Sequence, residues 1–185
     1  EYGGYLFAGT KGNGIFYLYG NICESANNGL SDLFINSFYY IPHMQLQDPN
    51  GNNFLYVTTQ NGIYYCDLLL FPPDSPVVWS YAGISNYNVK AMGVLPSKII
   101  AGSYGNGLFA SNFIYGIGYL SLYSDNLGLS SNFINNIYSA SYSLPFTLCA
   151  TKNGIFKKSD PNNPWEERSN GLASKNVSSI TRIGN

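Results

Sequence analysis

Charge is what this sequence lacks most. Asp, Glu, Lys and Arg make up 10% of the 185 residues, and nine basic against ten acidic side chains leave a net charge of -1 at pH 7; an average soluble domain carries roughly 25%. No basic field is available for a phosphate backbone, so no nucleic-acid partner is expected. Histidine is almost absent too: His43 stands alone, which removes Ser/His/Asp chemistry and multi-histidine metal sites on the ordinary plan. No cofactor and no metal are expected. No apolar run approaches the roughly 18 residues a membrane helix needs; the longest, Leu68-Leu69-Leu70-Phe71, is closed by Pro72-Pro73, and no membrane insertion is expected within this segment. Cys23, Cys66 and Cys149 are an odd number without redox or metal spacing, and read as three separate thiols. The first residue is Glu1 with no Met or basic-then-apolar leader, which reads as a processed product or a segment of something longer.

What is present favours strands and turns. Gly (20), Tyr (17) and many Asn dominate a chain that is 45% hydrophobic, a composition that disfavours helix. Four segments align: Leu6-Phe7-Ala8-Gly9-Thr10, Leu55-Tyr56-Val57-Thr58-Thr59, Ile99-Ile100-Ala101-Gly102-Ser103 and Thr147-Leu148-Cys149-Ala150-Thr151. Each ends in a hydroxyl and soon reaches Asn-Gly, at Gly14, Gly62, Gly107 and Gly154, then an aliphatic and an aromatic residue. Asn-Gly tolerates the positive φ of a tight hairpin, so each copy predicts two strands around a turn. The period is about 46 residues.

A second signature interleaves with the first: Gly29-Leu30-Ser31, Gly83-Ile84-Ser85, Gly128-Leu129-Ser130 and Gly171-Leu172-Ala173. Six and nine residues past each Gly stand apolar pairs, Ile35 and Phe38, Val89 and Met92, Ile134 and Ile137, Val177 and Ile180. They predict an inner strand with a bulge, because a spacing of three breaks strict alternation. Pro42, Pro96 and Pro145 close three copies. A variable segment between hairpin and Gly-Leu-Ser reads as a fourth, outer strand: Val77 to Tyr81, Tyr119 to Tyr123 and Trp165 to Arg168, weakest at Ile22-Cys23-Glu24 in the first copy.

Four short strands per 46 residues predict an all-β chain, a β-propeller of four four-stranded blades. The repeats run over 1–28, 29–82, 83–127 and 128–170 in a single domain, and 171–185 supplies a closing inner strand, with Val177 to Ile183 pairing beside Leu6 to Thr10. The alternative is a four-blade segment of a larger propeller. These repeats resemble the regulator-type and BNR (Asp-box-like) propeller repeats of bacterial surface and sensor proteins, over essentially the whole chain. That resemblance implies an architecture more than a function, since such repeats serve sensor-kinase input domains, glycan-active enzymes, assembly factors and sorting receptors. The Asp-box is degenerate: Ser159 to Trp165 keeps a Ser, an Asp and a Trp but lacks the Gly and the spacing.

The inventory for catalysis is thin. A glycoside hydrolase needs two carboxylates about 5 to 10 Å apart; Asp32 and Asp125, on loops at the turn face, are the best pair, with a turn acid and a loop cap as their structural alternatives. Gly102 to Gly107 reads as a β-turn, because no helix or Lys-Ser/Thr follows for a phosphate. Asn176-Val177-Ser178 is a glycosylation sequon, but one that opens an inner strand. The repeated Thr10, Thr59, Ser103 and Thr151 read as structural hydroxyls near the turns. Tyr39, Tyr40, Tyr104, Tyr115, Tyr119 and Tyr138 exceed what a small core hides, and Tyr with Asn and Ser makes adaptable recognition surfaces. Candidate binding residues are therefore Lys11, Tyr39, Tyr104, Tyr119, Asp32 and Asp125. The expected function is a non-catalytic extracellular or cell-surface module that recognises protein or glycan, or associates with itself as a structural subunit. The alternatives are a carbohydrate-active enzyme and the sensing domain of a signalling protein.

Overall fold

The computed structural model describes residues 6–42, 53–68, 76–95, 98–112, 118–140, 146–181 and 183. His43, Pro96, Tyr115, Pro145 and the Leu69 to Pro73 stretch lie outside them. Among the described residues there is no α-helix, and fifteen strands form four antiparallel meanders. The first has three strands, β1 (Leu6–Gly9), β2 (Ile15–Tyr19) and β3 (Ile22–Ser25). The others have four each: β4 (Ile35–Ile41) to β7 (Ser80–Gly83) through β5 (Phe54–Thr59) and β6 (Gly62–Asp67); β8 (Val89–Leu95) to β11 (Tyr123–Ser124) through β9 (Lys98–Ser103) and β10 (Gly107–Asn112); β12 (Ile134–Ser139) to β15 (Glu166–Glu167) through β13 (Thr147–Thr151) and β14 (Gly154–Lys158).

The chain divides into two compact units. One carries the first two sheets together with Gly118 and Tyr119, and its core gathers Ile15, Ile35, Val57, Tyr64 and Trp79. The other carries the last two sheets around Ile100, Leu108, Ile134, Phe156 and Trp165.

The inner strands are bulged where the apolar spacing of three predicts it. The register shifts between Ile35 and Ser37, between Val89 and Ala91, and between Ile134 and Asn136. The extra residue lets two apolar positions three apart face the same core. The hairpins differ from expectation in one detail. The two-residue turns are Gln60-Asn61 and Lys152-Asn153, so Gly62 and Gly154 open the following strand. Each glycine keeps a positive φ, and a second constraint explains Gly14 and Gly107: a Cβ there would overlap the Asn27 or Asn126 side-chain amide. Those amides replace a missing ladder acceptor, since Ile15 N–H donates to Asn27 Oδ1 at 2.7 Å and Leu108 N–H to Asn126 Oδ1 at 2.6 Å; in the fourth sheet the Ser169 hydroxyl takes the same part, accepting Ile155 N–H at 3.1 Å.

The repeated hydroxyls are structural. Thr10, Thr59, Ser103 and Thr151 each donate to the carbonyl of Gly14, Gly62, Gly107 or Gly154 at 2.9 to 3.1 Å. Each also accepts the N–H of the neighbouring asparagine, Asn13, Asn61, Asn106 or Asn153. One oxygen thereby satisfies the turn N–H and adds a second bond to a glycine carbonyl, which in the first sheet already accepts Thr10 N–H.

Two expectations are corrected. The outer strand is not weakest in the first copy, for β3 has four residues and β11 and β15 two each. The segment 171–181 carries no strand, and β1 has β2 as its one ladder partner among the described residues, so the first sheet is three-stranded. Asn176 is therefore exposed and opens no strand, which removes the steric objection to a glycan there.

Candidate functional site

The surface richest in unshared chemistry lies on the turns of the second unit. Tyr104 follows β9 and is held by its N–H donating to Asn88 O at 2.8 Å. Phe133 precedes β12; Ser131 Oγ accepts its N–H at 3.2 Å, and an isolated antiparallel bridge joins it to Tyr104. The bridge sets the two rings edge to face, with centroids 5.1 Å apart and planes at 78°, a favoured geometry for aromatic pairs. Both remain well exposed, at 38% and 39%.

Lysines cover the pair. Lys152 Nζ lies 4.6 Å from the Tyr104 centroid and 4.3 Å from that of Phe133, and Lys90 Nζ lies 5.7 Å from Tyr104. The ring quadrupoles attract the ammonium groups, while Lys152 has no carboxylate partner among the described residues. The result is an amphipathic patch in which Lys152 brings positive charge over two exposed rings. It can stack against a flat apolar face and donate to a carbonyl, hydroxyl or carboxylate.

Of the residues singled out by sequence, Tyr104 belongs to this cluster. Lys11 holds the same place in the first unit, bridged to the exposed Phe34. Asp32 sits beside it: Oδ1 accepts Phe34 N–H at 2.9 Å as a turn acid, and Oδ2 is shut from solvent with no partner among the described residues. Tyr39 lies within β4, opposite Tyr56 in register. Tyr119 is exposed in the first unit, after Gly118, whose tight contact with the Tyr65 ring leaves no room for a Cβ. Neither Tyr39 nor Tyr119 joins the Tyr104 cluster.

Asp125 is anchored elsewhere. Its carboxylate takes Lys158 Nζ at 2.6 and 2.8 Å, with side chains only 14% and 2% exposed. Trp165 Nε1 donates to its backbone oxygen at 3.1 Å, and Lys158 Nζ lies 5.5 Å from the Trp165 ring centroid. Asp32 and Asp125 fall in different compact units, each bound to local partners. Among the described residues no group of three or more His, Cys, Asp or Glu is placed to hold a metal.

Sequence reasoning missed Phe133, Lys90, Lys152 and Lys158. For Phe133 the signal was present: Phe34 and Phe133 both stand five residues past the Gly of Gly-Leu-Ser. Lys152 carried one as well, since like Lys11 and Tyr104 it directly follows the repeated hydroxyl; Lys90 in β8 and Lys158 in β14 carried none, because only the packing of the sheets brings them to Tyr104 and Asp125.

No family model matches the chain, and no curated protein matches it. A solved structure does: the extracellular domain of a putative hybrid two-component system from B. thetaiotaomicron, at 20% identity and a TM-score of 0.65, with 92% of this chain covered. The fold is β-propeller-like. The chain spans 22% of that neighbour's length.

Proposed function

We propose that this chain is a non-catalytic recognition module, acting outside the cell, whose turn surface around Tyr104 takes a protein or glycan partner without a cofactor. The observation that carries the reading is the exposed Tyr104–Phe133 pair under Lys152 and Lys90. Exposed aromatic residues with polar tips bring large contact area at low conformational cost, and residues of this kind dominate binding energy where they occur. The engagement of Asp125 by Lys158 speaks against a hydrolase built on Asp32 and Asp125.

The specific form favoured by the structural neighbour is a sensing segment, since that protein is an extracellular domain of a two-component system. Likeness of fold alone does not carry a ligand across. The test is binding of the wild-type chain to a panel of neutral and acidic oligosaccharides and peptides, repeated with Tyr104→Ala and Lys152→Ala. Loss of about tenfold or more in affinity for each variant is expected. A ligand bound equally by both variants would defeat the site, and glycan cleavage lost in Asp32→Asn or Asp125→Asn would establish the enzyme reading instead.

A further inference from the structure

Two glycines of the Gly-Leu-Ser signature, Gly29 and Gly128, form sockets that are filled within the chain, whereas Gly83 lies inside β7 opposite Ile63. Gly29 has φ +88°, and a Cβ there would overlap the carbonyl oxygen of Trp79. Trp79 N–H donates to Asn28 O at 2.8 Å, and its indole Nε1 donates to Ala26 O at 2.7 Å. Gly128, with φ +90°, repeats this with Trp165: its N–H donates to Leu127 O at 2.8 Å and its indole to Asp125 O at 3.1 Å. In both cases the tryptophan comes from the outer segment of the following sheet and is buried.

Gly171 is a third socket of the same construction. Its φ is +86°, but no described atom lies within 4 Å of a Cβ position. The loop is already shaped for an occupant. Arg168 N–H donates to Ile155 O at 2.7 Å, as Ala26 N–H does to Ile15 O and Asp125 N–H to Leu108 O. Leu172 N–H donates to Ser169 O, as Leu30 does to Asn27 and Leu129 to Asn126. The carbonyls of Arg168 and Asn170 therefore stand where Ala26 and Asn28, or Asp125 and Leu127, receive a tryptophan.

The segment after Gly171 tells the same story independently. Val177 N–H donates to Thr151 O at 2.9 Å, matching Ile35 N–H on Thr10 O. Gly154 N–H donates to Lys175 O, matching Gly14 on Leu33 and Gly107 on Asn132. The segment thus sits against the fourth sheet as the inner strand of a following sheet would, yet among the described residues no hairpin pairs with it. Ile35 and Ile134 are buried at the position where Val177 is only half-buried.

We infer that the surface formed by Arg168, Asn170, Gly171 and Val177 to Ile180 docks a further repeat of this kind. That repeat pairs its hairpin with Val177 to Ile180 and seats a tryptophan on Gly171, with the indole on Arg168 O. A tryptophan is specified because both filled sockets hold one. Cys23, the first sheet's residue two before the partner of Phe16, as Trp79 and Trp165 stand before the partners of Tyr64 and Phe156, carries no indole N–H to donate to a carbonyl such as that of Arg168. A socket shaped in advance loses little freedom on docking.

The experiment extends the full chain after Asn185 by a second copy of residues 143–170, which carries a hairpin and a tryptophan in phase with Val177. Hydrogen exchange is then followed at the amides of 178–181 and at the added indole N–H. Exchange slowed by about tenfold or more at both is expected. In the Gly171→Val version of the extended chain that protection should vanish, because a side chain occupies the place of the tryptophan carbonyl, while the amides of Ile134–Ser139 stay protected and report an intact fold. The proposal is overturned by an added repeat that leaves 178–181 unprotected beside wild-type Gly171, by equal protection with Gly171→Val, or by an unextended chain that already protects 178–181 through self-association.

Discussion

Asp125, Lys158 and Trp165 show how a single carboxylate can look functional and be structural. Lys158 is nearly sealed from solvent, so its charge is tolerable only while Asp125 faces it. Asp125→Asn is expected to lower stability by about 3 kcal/mol in urea denaturation, because it strands a buried ammonium. The double variant Asp125→Asn/Lys158→Met should recover most of that loss, since the uncompensated charge is then gone. Cysteine reactivity divides along the same line of burial. Desolvation pushes Cys66 up to about 12, helped by the nearby Asp67 carboxylate, and raises buried Cys149 as well. The thiolate is the reacting form, so at pH 8 iodoacetamide should label exposed Cys23 in the folded chain and spare the other two. Mass spectrometry of the labelled peptides checks this; fast labelling of Cys149 in the native chain would contradict its burial.

Within the elements, the turn chemistry is uniform and the outer strands are not. The hydroxyl before each hairpin turn and the positive-φ glycine after the asparagine recur because every hairpin leaves the asparagine N–H to be satisfied by that hydroxyl. Outer strands have only one ladder neighbour, so their length follows local contacts more than repeat register. The loop after β15 is tied down by charge: Lys175 Nζ meets Glu167 Oε1 at 2.8 Å. The hydrogen bond from Lys175, followed by one from Ser169, holds the Glu167 carboxyl below its usual range. A carboxyl whose pKa is lowered by folding supports the fold above its ordinary pKa, and that support fades as pH falls through the lowered value. Amide protection at Lys175 to Val177 is therefore expected to weaken as the solution is acidified below about pH 4. Glu167→Gln should abolish that pH dependence, and its persistence in the variant would assign the effect to another group.

For the whole molecule, near-neutrality decides what can be bound. A net charge of -1 offers few counterions to release, so fluorescence anisotropy of a labelled DNA duplex should not rise on adding the chain even at low salt. Positive charge is also present locally, as at Lys152 over the Tyr104 and Phe133 rings, and there it suits recognition of a small polar face.

The linear order of residues by itself determined the repeat, the β class, the bulged inner strands and the glycine turns, because each depends on contacts close in the chain or on the intrinsic φ range of one residue type. Gly14, Thr10 and the pair Ile134 and Ile137 were legible for that reason. The lack of a strand at Val177 to Ile180 was not, since the same apolar pattern forms a ladder only beside a hairpin, and none pairs with it among the described residues. Nor were the Tyr104 cluster, drawn from residues 90, 104, 133 and 152, and the Asp125–Lys158 pair, whose members stand 33 positions apart. Tertiary structure decided those, because charge pairing and ring contact depend on distance in space, which turns and sheet packing set.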